Sequence, residues 1–140
     1  MAQTYATEVS GLGTTPTTNS NGAVQGARVR RFRATIALAA QANGDTVVLA
    51  QVPAGYAFCY GIINASATLG ASTVAIGIAG TAAKYRTAAV FTAAAPTLFG
   101  LSTAVDDDPL TASENIILTN TTAALPGSGT LIVDLYFSAP

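Results

Sequence analysis

"VPAGYAFCYGIINASATLGASTVAIGIAG", residues 52–80, carries no charged side chain, and no Asp, Glu, Lys or Arg falls between Asp45 and Lys84. Two arrangements hide such a run from water: a helix across a bilayer, or apolar strands inside a β fold. A spanning helix needs about 20 consecutive, mainly apolar residues. Residues 56–79 have the length, but Asn64, Ser66, Thr68, Ser72 and Thr73 cluster in the middle beside Gly70. A span should be most apolar there. Each half instead alternates with period two. Tyr56, Phe58, Tyr60 and Ile62 alternate with Ala57, Cys59 and Gly61, and Val74, Ile76 and Ile78 alternate with Thr73, Ala75 and Gly77. The stretch therefore reads as two strands joined by "NASATLGAS", with no membrane span.

The same period extends in both directions. In "RVRRFRATIALAA", from Arg28, residues Phe32, Ala34, Ile36 and Leu38 share one face and Arg31, Arg33 and Thr35 the other, the pattern of a half-buried strand. "ANGD" follows, and Asn43-Gly44 is a strong hairpin signal. "TVVLAQV" is a second strand, broken by Pro53 and Gly55. Further on, short strands are expected around Lys84–Thr87 and Thr97–Leu101. Ala93-Ala94-Ala95 favours helix by propensity, but Pro96 allows no more than one turn. "IILTNTT" and "TLIVDLYFSA" are the last strands; in the latter Leu131, Val133, Leu135 and Phe137 face one way and Thr130, Asp134, Tyr136 and Ser138 the other. Eight short strands without a convincing helix predict an all-β fold, a jelly-roll-like antiparallel β-sandwich over residues 28–140. Residues 1–27, rich in Thr, Ser, Asn and Gly with no apolar period, are read as an extended or flexible N-terminal arm.

The totals agree with one domain that sticks to other protein. The 140 residues suit a single domain. Half are hydrophobic and only 9% are charged, against about 25% in an average soluble domain. The outward positions fall to Thr, Ser, Asn and Ala, so few ions must be desolvated on close contact. The net charge of −1 gives no general attraction to nucleic acid. No basic start and apolar core of a secretory leader are visible in residues 1–28, so synthesis and use without a cleaved leader are expected. The one cysteine, Cys59, reads as a small buried hydrophobe in a strand.

Catalytic chemistry has little to work with. The chain lacks histidine, which removes the Ser-His-Asp and Cys-His arrangements and the commonest zinc ligand. One cysteine builds no thiolate zinc site. No phosphate-cradling Gly-rich motif is present. No enzyme and no cofactor are expected. Asp106-Asp107-Asp108-Pro109 is the densest acidic group; a solvated loop is the reading, with a hard-cation site as the alternative. Asn64-Ala65-Ser66 and Asn120-Thr121-Thr122 match the glycosylation tripeptide but mean little without a leader. Arg28, Arg30, Arg31 and Arg33 hold four of the six basic charges. Their expected role is bidentate pairing with carboxylates of another protein copy, against a solvated strand end or phosphate binding. Thr14, Thr15, Thr17 and Thr18 are the arm's candidate partner contacts.

"DTVVLAQVPAGYAFCYGIINASATLGASTVAIGIAG" resembles small structural proteins of tailed-bacteriophage heads, among them capsid decoration, or cement, proteins. The likeness covers about residues 28–100 and lies in strands and small-residue turns. It implies a virion structural protein on the outside of an icosahedral capsid, made in the host bacterial cytoplasm. It also implies a homo-oligomer, most simply a trimer, that clamps the major capsid protein. A head fibre or glycan-binding adhesin is the alternative, with Tyr56, Tyr60, Tyr85 or Tyr136 stacking on sugar; tyrosines packed on the sheets are the plainer reading.

Overall fold

The structure is a computed structural model, and it describes residues 16, 26–92, 95–105 and 108–140. Among these residues eight strands follow one another: β1 (Arg28–Ala37), β2 (Thr46–Val52), β3 (Ala57–Ala65), β4 (Thr73–Ile78), β5 (Thr81–Val90), β6 (Thr97–Phe99), β7 (Glu114–Thr121) and β8 (Thr130–Ala139). The described residues contain no helix, and so none long and apolar enough to cross a membrane. All strand pairs are antiparallel, in two four-stranded sheets of order β1-β8-β3-β6 and β2-β7-β4-β5.

The pairing has a simple logic. β1 pairs with β8, β2 with β7, β3 with β6 and β4 with β5. That is the ladder of one long doubled hairpin. Rolling it up brings β3 beside β8 and β4 beside β7, which completes both sheets. The result is the jelly-roll arrangement of two Greek keys. The expected sandwich of eight strands is therefore what the chain forms, and both halves of the uncharged stretch are strands.

Period two explains the core. On β8, Leu131, Val133, Leu135 and Phe137 all point inward with no exposed surface. Val74 and Ile76 of β4, Ile116 and Leu118 of β7 and Tyr85 of β5 face them from the other sheet, equally buried. At one end Phe137 packs edge-on against Phe32 and Phe58, with ring centroids 5.8 and 5.3 Å apart, and Tyr85 lies 4.6 Å from Phe58. Each such side chain contributes about 1.5–3 kcal/mol by leaving water.

Several local expectations are corrected. Asn43-Gly44 is a turn, with Gly44 at φ 93°, but no hairpin: β1 and β2 lie in different sheets. The turn's polar groups bond to β7, since Asn120 Nδ2 donates to the carbonyls of Gln41 and Ala42, and Gly44 N–H donates to the Asn120 carbonyl. The tight hairpin is elsewhere. Two residues, Ala79 and Gly80 (φ 85°), join β4 to β5, a turn that needs positive φ. It lengthens β5 to Thr81–Val90, well beyond the expected Lys84–Thr87, while β6 stops at Phe99, short of Leu101. Gly77 lies under this hairpin, where a side chain would strike the backbone of Thr81 and Ala82. On β3 the register shifts between Phe58 and Tyr60. This bulge turns Tyr60 outward, so Tyr56, Phe58, Tyr60 and Ile62 do not share a face; Gly61, Ile63 and Ala65 continue the inward row. Cys59, the bulged residue, is half-buried rather than sealed in the core.

Candidate functional site

The basic strand β1 is an edge of its sheet, paired along its whole length with β8. That register places Arg33 opposite Asp134. The guanidinium grips the carboxylate with two parallel bonds of 2.7 Å, Nε to Oδ1 and Nη2 to Oδ2, the fork geometry that arginine favours. Asp134 is nearly covered, with 8% of its side chain exposed, while Arg33 keeps 49%. The hydrogen bonds from Arg33 hold the Asp134 carboxyl below its ordinary range, against the opposing effect of burial, and Arg31 adds a weaker pull in the same direction. The same bonds raise the Arg33 guanidinium. Arg33 is thus engaged within its own chain. Arg28, Arg30 and Arg31 are exposed, and none of their side chains has a hydrogen-bond or ion-pair partner among the described residues. Arg31 shares the outward face with Arg33; Arg28 and Arg30 have inward parity but stay in water at the end of the sandwich.

Cross-strand pairing builds rows on the outer face of this sheet. Arg31, Tyr136 and Tyr60 form one row; Arg33, Asp134, Ile62 and Leu98 form the next; Thr35, Ile132 and Asn64 form a third. Tyr60 and Tyr136 are stacked, with centroids 4.6 Å apart and planes 18° from parallel. Leu98 is 67% exposed, and Val29, one row beyond Arg31, is 59% exposed. The face is therefore a flat mix of aromatic, aliphatic and guanidinium groups. Sequence reasoning found Arg31 and Arg33, and named Tyr60, Tyr136 and Asp134 only singly; it missed Leu98 and the Arg33–Asp134 and Tyr60–Tyr136 pairs. The signal for them is the pairing of first strand with last, which single-strand periodicity does not contain.

The other polar clusters are structural. Lys84 Nζ and the Tyr85 hydroxyl both donate to the Glu114 carboxylate, and Lys84 lies 5.3 Å from the centre of the Tyr85 ring. They line a cavity of about 190 Å³ with Phe58, Thr103 and Leu110, smaller than the usual 300–1,000 Å³ of ligand pockets. Arg86 is half-buried, and its guanidinium donates to the carbonyls of Val74, Ala89 and Val90; burial lowers its pKa. Ser72 Oγ donates to Asn120 Oδ1 inside the sandwich, where both residues are buried. Asn120 is thus occupied and inaccessible to glycosylation. Of the described tyrosines, Tyr85 is fully buried, Tyr56 packs on Phe32, and Tyr60 and Tyr136 stack on each other, so these four pack on the sheets. No set of three His, Cys, Asp or Glu side chains converges among the described residues. Thr14, Thr15, Thr17 and Thr18, the rest of the arm save Pro16, Gly26 and Ala27, and Ala93, Ala94, Asp106 and Asp107 lie outside the described residues.

No protein-family model matches the sequence, and no curated protein matches it. Solved structures do. A chain of the capsid of Ralstonia phage GP4 superposes with a TM-score of 0.65 at 20% identity, over 81% of this chain and 85% of that one. A chain of the cyanophage Pam1 capsid asymmetric unit gives 0.62 at 18% identity, over 81% and 86%. A chain of the acid-stable capsid of Helicobacter pylori bacteriophage KHP30 gives 0.57 at 12% identity, over 80% and 88%. At these identities the likeness shows a shared fold, and the matched shares make those chains about as long as this one.

Proposed function

We propose that this chain is a virion structural protein: a decoration, or cement, protein that binds the outside of a phage head and stabilises the shell. The observation that carries the reading is the match of one complete sandwich to chains of similar length in three phage capsids. The partner is the major capsid protein, and the working unit is a homotrimer, so several modest contacts act together on the lattice. Residues 1–27 serve as an arm laid along a neighbour, where an extended segment adds backbone hydrogen bonds. Thr14, Thr15, Thr17 and Thr18 make its side-chain contacts. Arg28, Arg30 and Arg31 meet partner carboxylates, and Arg33 stays locked to Asp134 as part of the scaffold. The chemistry is adhesion without turnover.

The test uses particles produced without this chain. They are expected to release DNA at a lower temperature than complete particles, and the purified protein should bind them from outside and restore the difference. Particles that are equally heat-stable and bind none of the added protein would overturn the reading. Deleting residues 1–27 should weaken attachment or trimer formation while the melting of the sandwich is retained; undiminished decoration by the truncated chain removes the arm from the mechanism.

A further inference from the structure

We infer that the outer face of the β1-β8-β3-β6 sheet is the docking face, and that its occupant is a protein surface with an apolar centre and an acidic edge. This rests on the virion reading for the identity of the occupant, a shell subunit.

Residue type comes first. Tyr and Arg dominate the energetically important positions of protein interfaces, because each joins a large contact area to a directed polar group. The face holds Tyr60, Tyr136, Arg31 and Arg33 in adjacent rows, bordered by Leu98 and Val29. Preorganisation comes second. The stacked tyrosines and the Arg33–Asp134 fork already hold four long side chains in place, so docking orders few further rotamers. Charge comes third and chooses the partner. The one carboxylate in these rows, Asp134, is consumed by Arg33. Arg31, which feels Asp134 only weakly, has no ion pair of its own among the described residues, and Arg28 and Arg30 lie at the same end of β1. A surface that answers them carries carboxylates on the β1 side and apolar groups over Ile62 and Leu98.

The size of the face fits a lattice partner. Three strands over four rows, with Leu98 of β6 beside one of them, make thirteen positions; at about 4.8 by 6.8 Å each they give a patch of roughly 400 Å². A standard stable interface uses about 800 Å² per partner. One copy alone therefore holds weakly through this face, and retention depends on many copies or on a second contact such as the arm.

The experiment adds full-length protein to particles produced without it and counts bound copies at one fixed, sub-saturating concentration. Leu98→Asp and Arg31→Glu are expected to cut the bound copies at least tenfold. Val48→Asp, at a 65% exposed position on the opposite sheet, should stay within twofold of wild type. All three sites are exposed, and a melting curve of each variant is the check that it folds. Wild-type-like binding by both first-sheet variants, or an equal loss with Val48→Asp, overturns the inference and leaves the virion reading standing. If the wild type itself does not bind, the virion reading fails and this inference fails with it. Binding of the wild type to a 30-nucleotide single strand, lost in Arg31→Glu, would make the occupant nucleic acid and also overturn it.

Discussion

The outer faces of the two sheets differ far more than their inner faces do. On the β1-β8-β3-β6 side the outward rows carry arginines, stacked tyrosines, a buried carboxylate and an exposed leucine. On the β2-β7-β4-β5 side the outward paired positions include Thr46, Val48 and Gln51, Asn115, Ile117, Thr119 and Thr121, then Thr73, Ala75, Gly77 and Val90, and the two cations of β5 are tied down, Lys84 to Glu114 and Arg86 to backbone carbonyls. Thr73 and Thr121 bond each other at 2.6 Å, so these two hydroxyls satisfy one another on the face. Both inner faces, by contrast, are aliphatic and aromatic and meet in one core. Inward residues are constrained by packing and look alike in any sandwich. Outward residues escape that constraint, so a difference there reports what the surface is for.

The largest expected effects test the likeness inside. Phe137→Ala removes the ring at the centre of the aromatic cluster and should cost about 3–5 kcal/mol. Ile76→Ala, its counterpart on the other sheet, should cost about 2–5 kcal/mol. Chemical denaturation measures both, and tolerance of either one would show that the sheets are unequal inside as well. Asn120→Ala comes next. It strips the acceptor from buried Ser72 and the donor from the Gln41 and Ala42 carbonyls, where the chain crosses between sheets. A loss of about 2–3 kcal/mol follows from leaving such groups unsatisfied.

Smaller effects sharpen the outer contrast. Asp134 has its folded pKa depressed below the ordinary value, chiefly by the bonds from Arg33. The pair's contribution is thus fully present above the unfolded carboxyl's pKa of about 3.9 and is lost as pH falls below that toward the folded value. Asp134→Asn should lower the melting point by a few degrees at pH 7, and the gap from wild type should close in strong acid. A constant gap down to pH 2 would separate the effect from the charge. Least of all, Arg31→Glu, Leu98→Asp and Val48→Asp should each change stability by under about 0.5 kcal/mol, as exposed positions do. A larger loss for Leu98→Asp would make it a packing residue and not a docking one.

Much of this fold is legible along the chain because the strands announce themselves one at a time. Phe32, Ala34, Ile36 and Leu38, or the four inward residues of β8, need only alternation to be placed. What escapes is set by pairing between distant strands. The Arg33–Asp134 bond links residues 101 apart, and neither residue marks the other. The same holds for Tyr60 and Tyr136, whose stacking also depends on the bulge at Cys59. Alternation assumes an unbroken pleat, so one extra residue reverses the expected face of Tyr60. Asn43-Gly44 misled for a related reason: a turn signal specifies the bend of the chain but not whether the strands it joins lie in one sheet.

The central claim is that the molecule works by holding another protein against one chosen face. Hydroxyl-radical footprinting of the chain, free and after addition to phage particles produced without it, tests this most directly. Tyr60, Tyr136 and Leu98 should become several-fold less reactive on binding while Val48, Val90 and Ile117 stay unchanged. Protection of the threonine-rich sheet instead, or of neither sheet, would contradict the account.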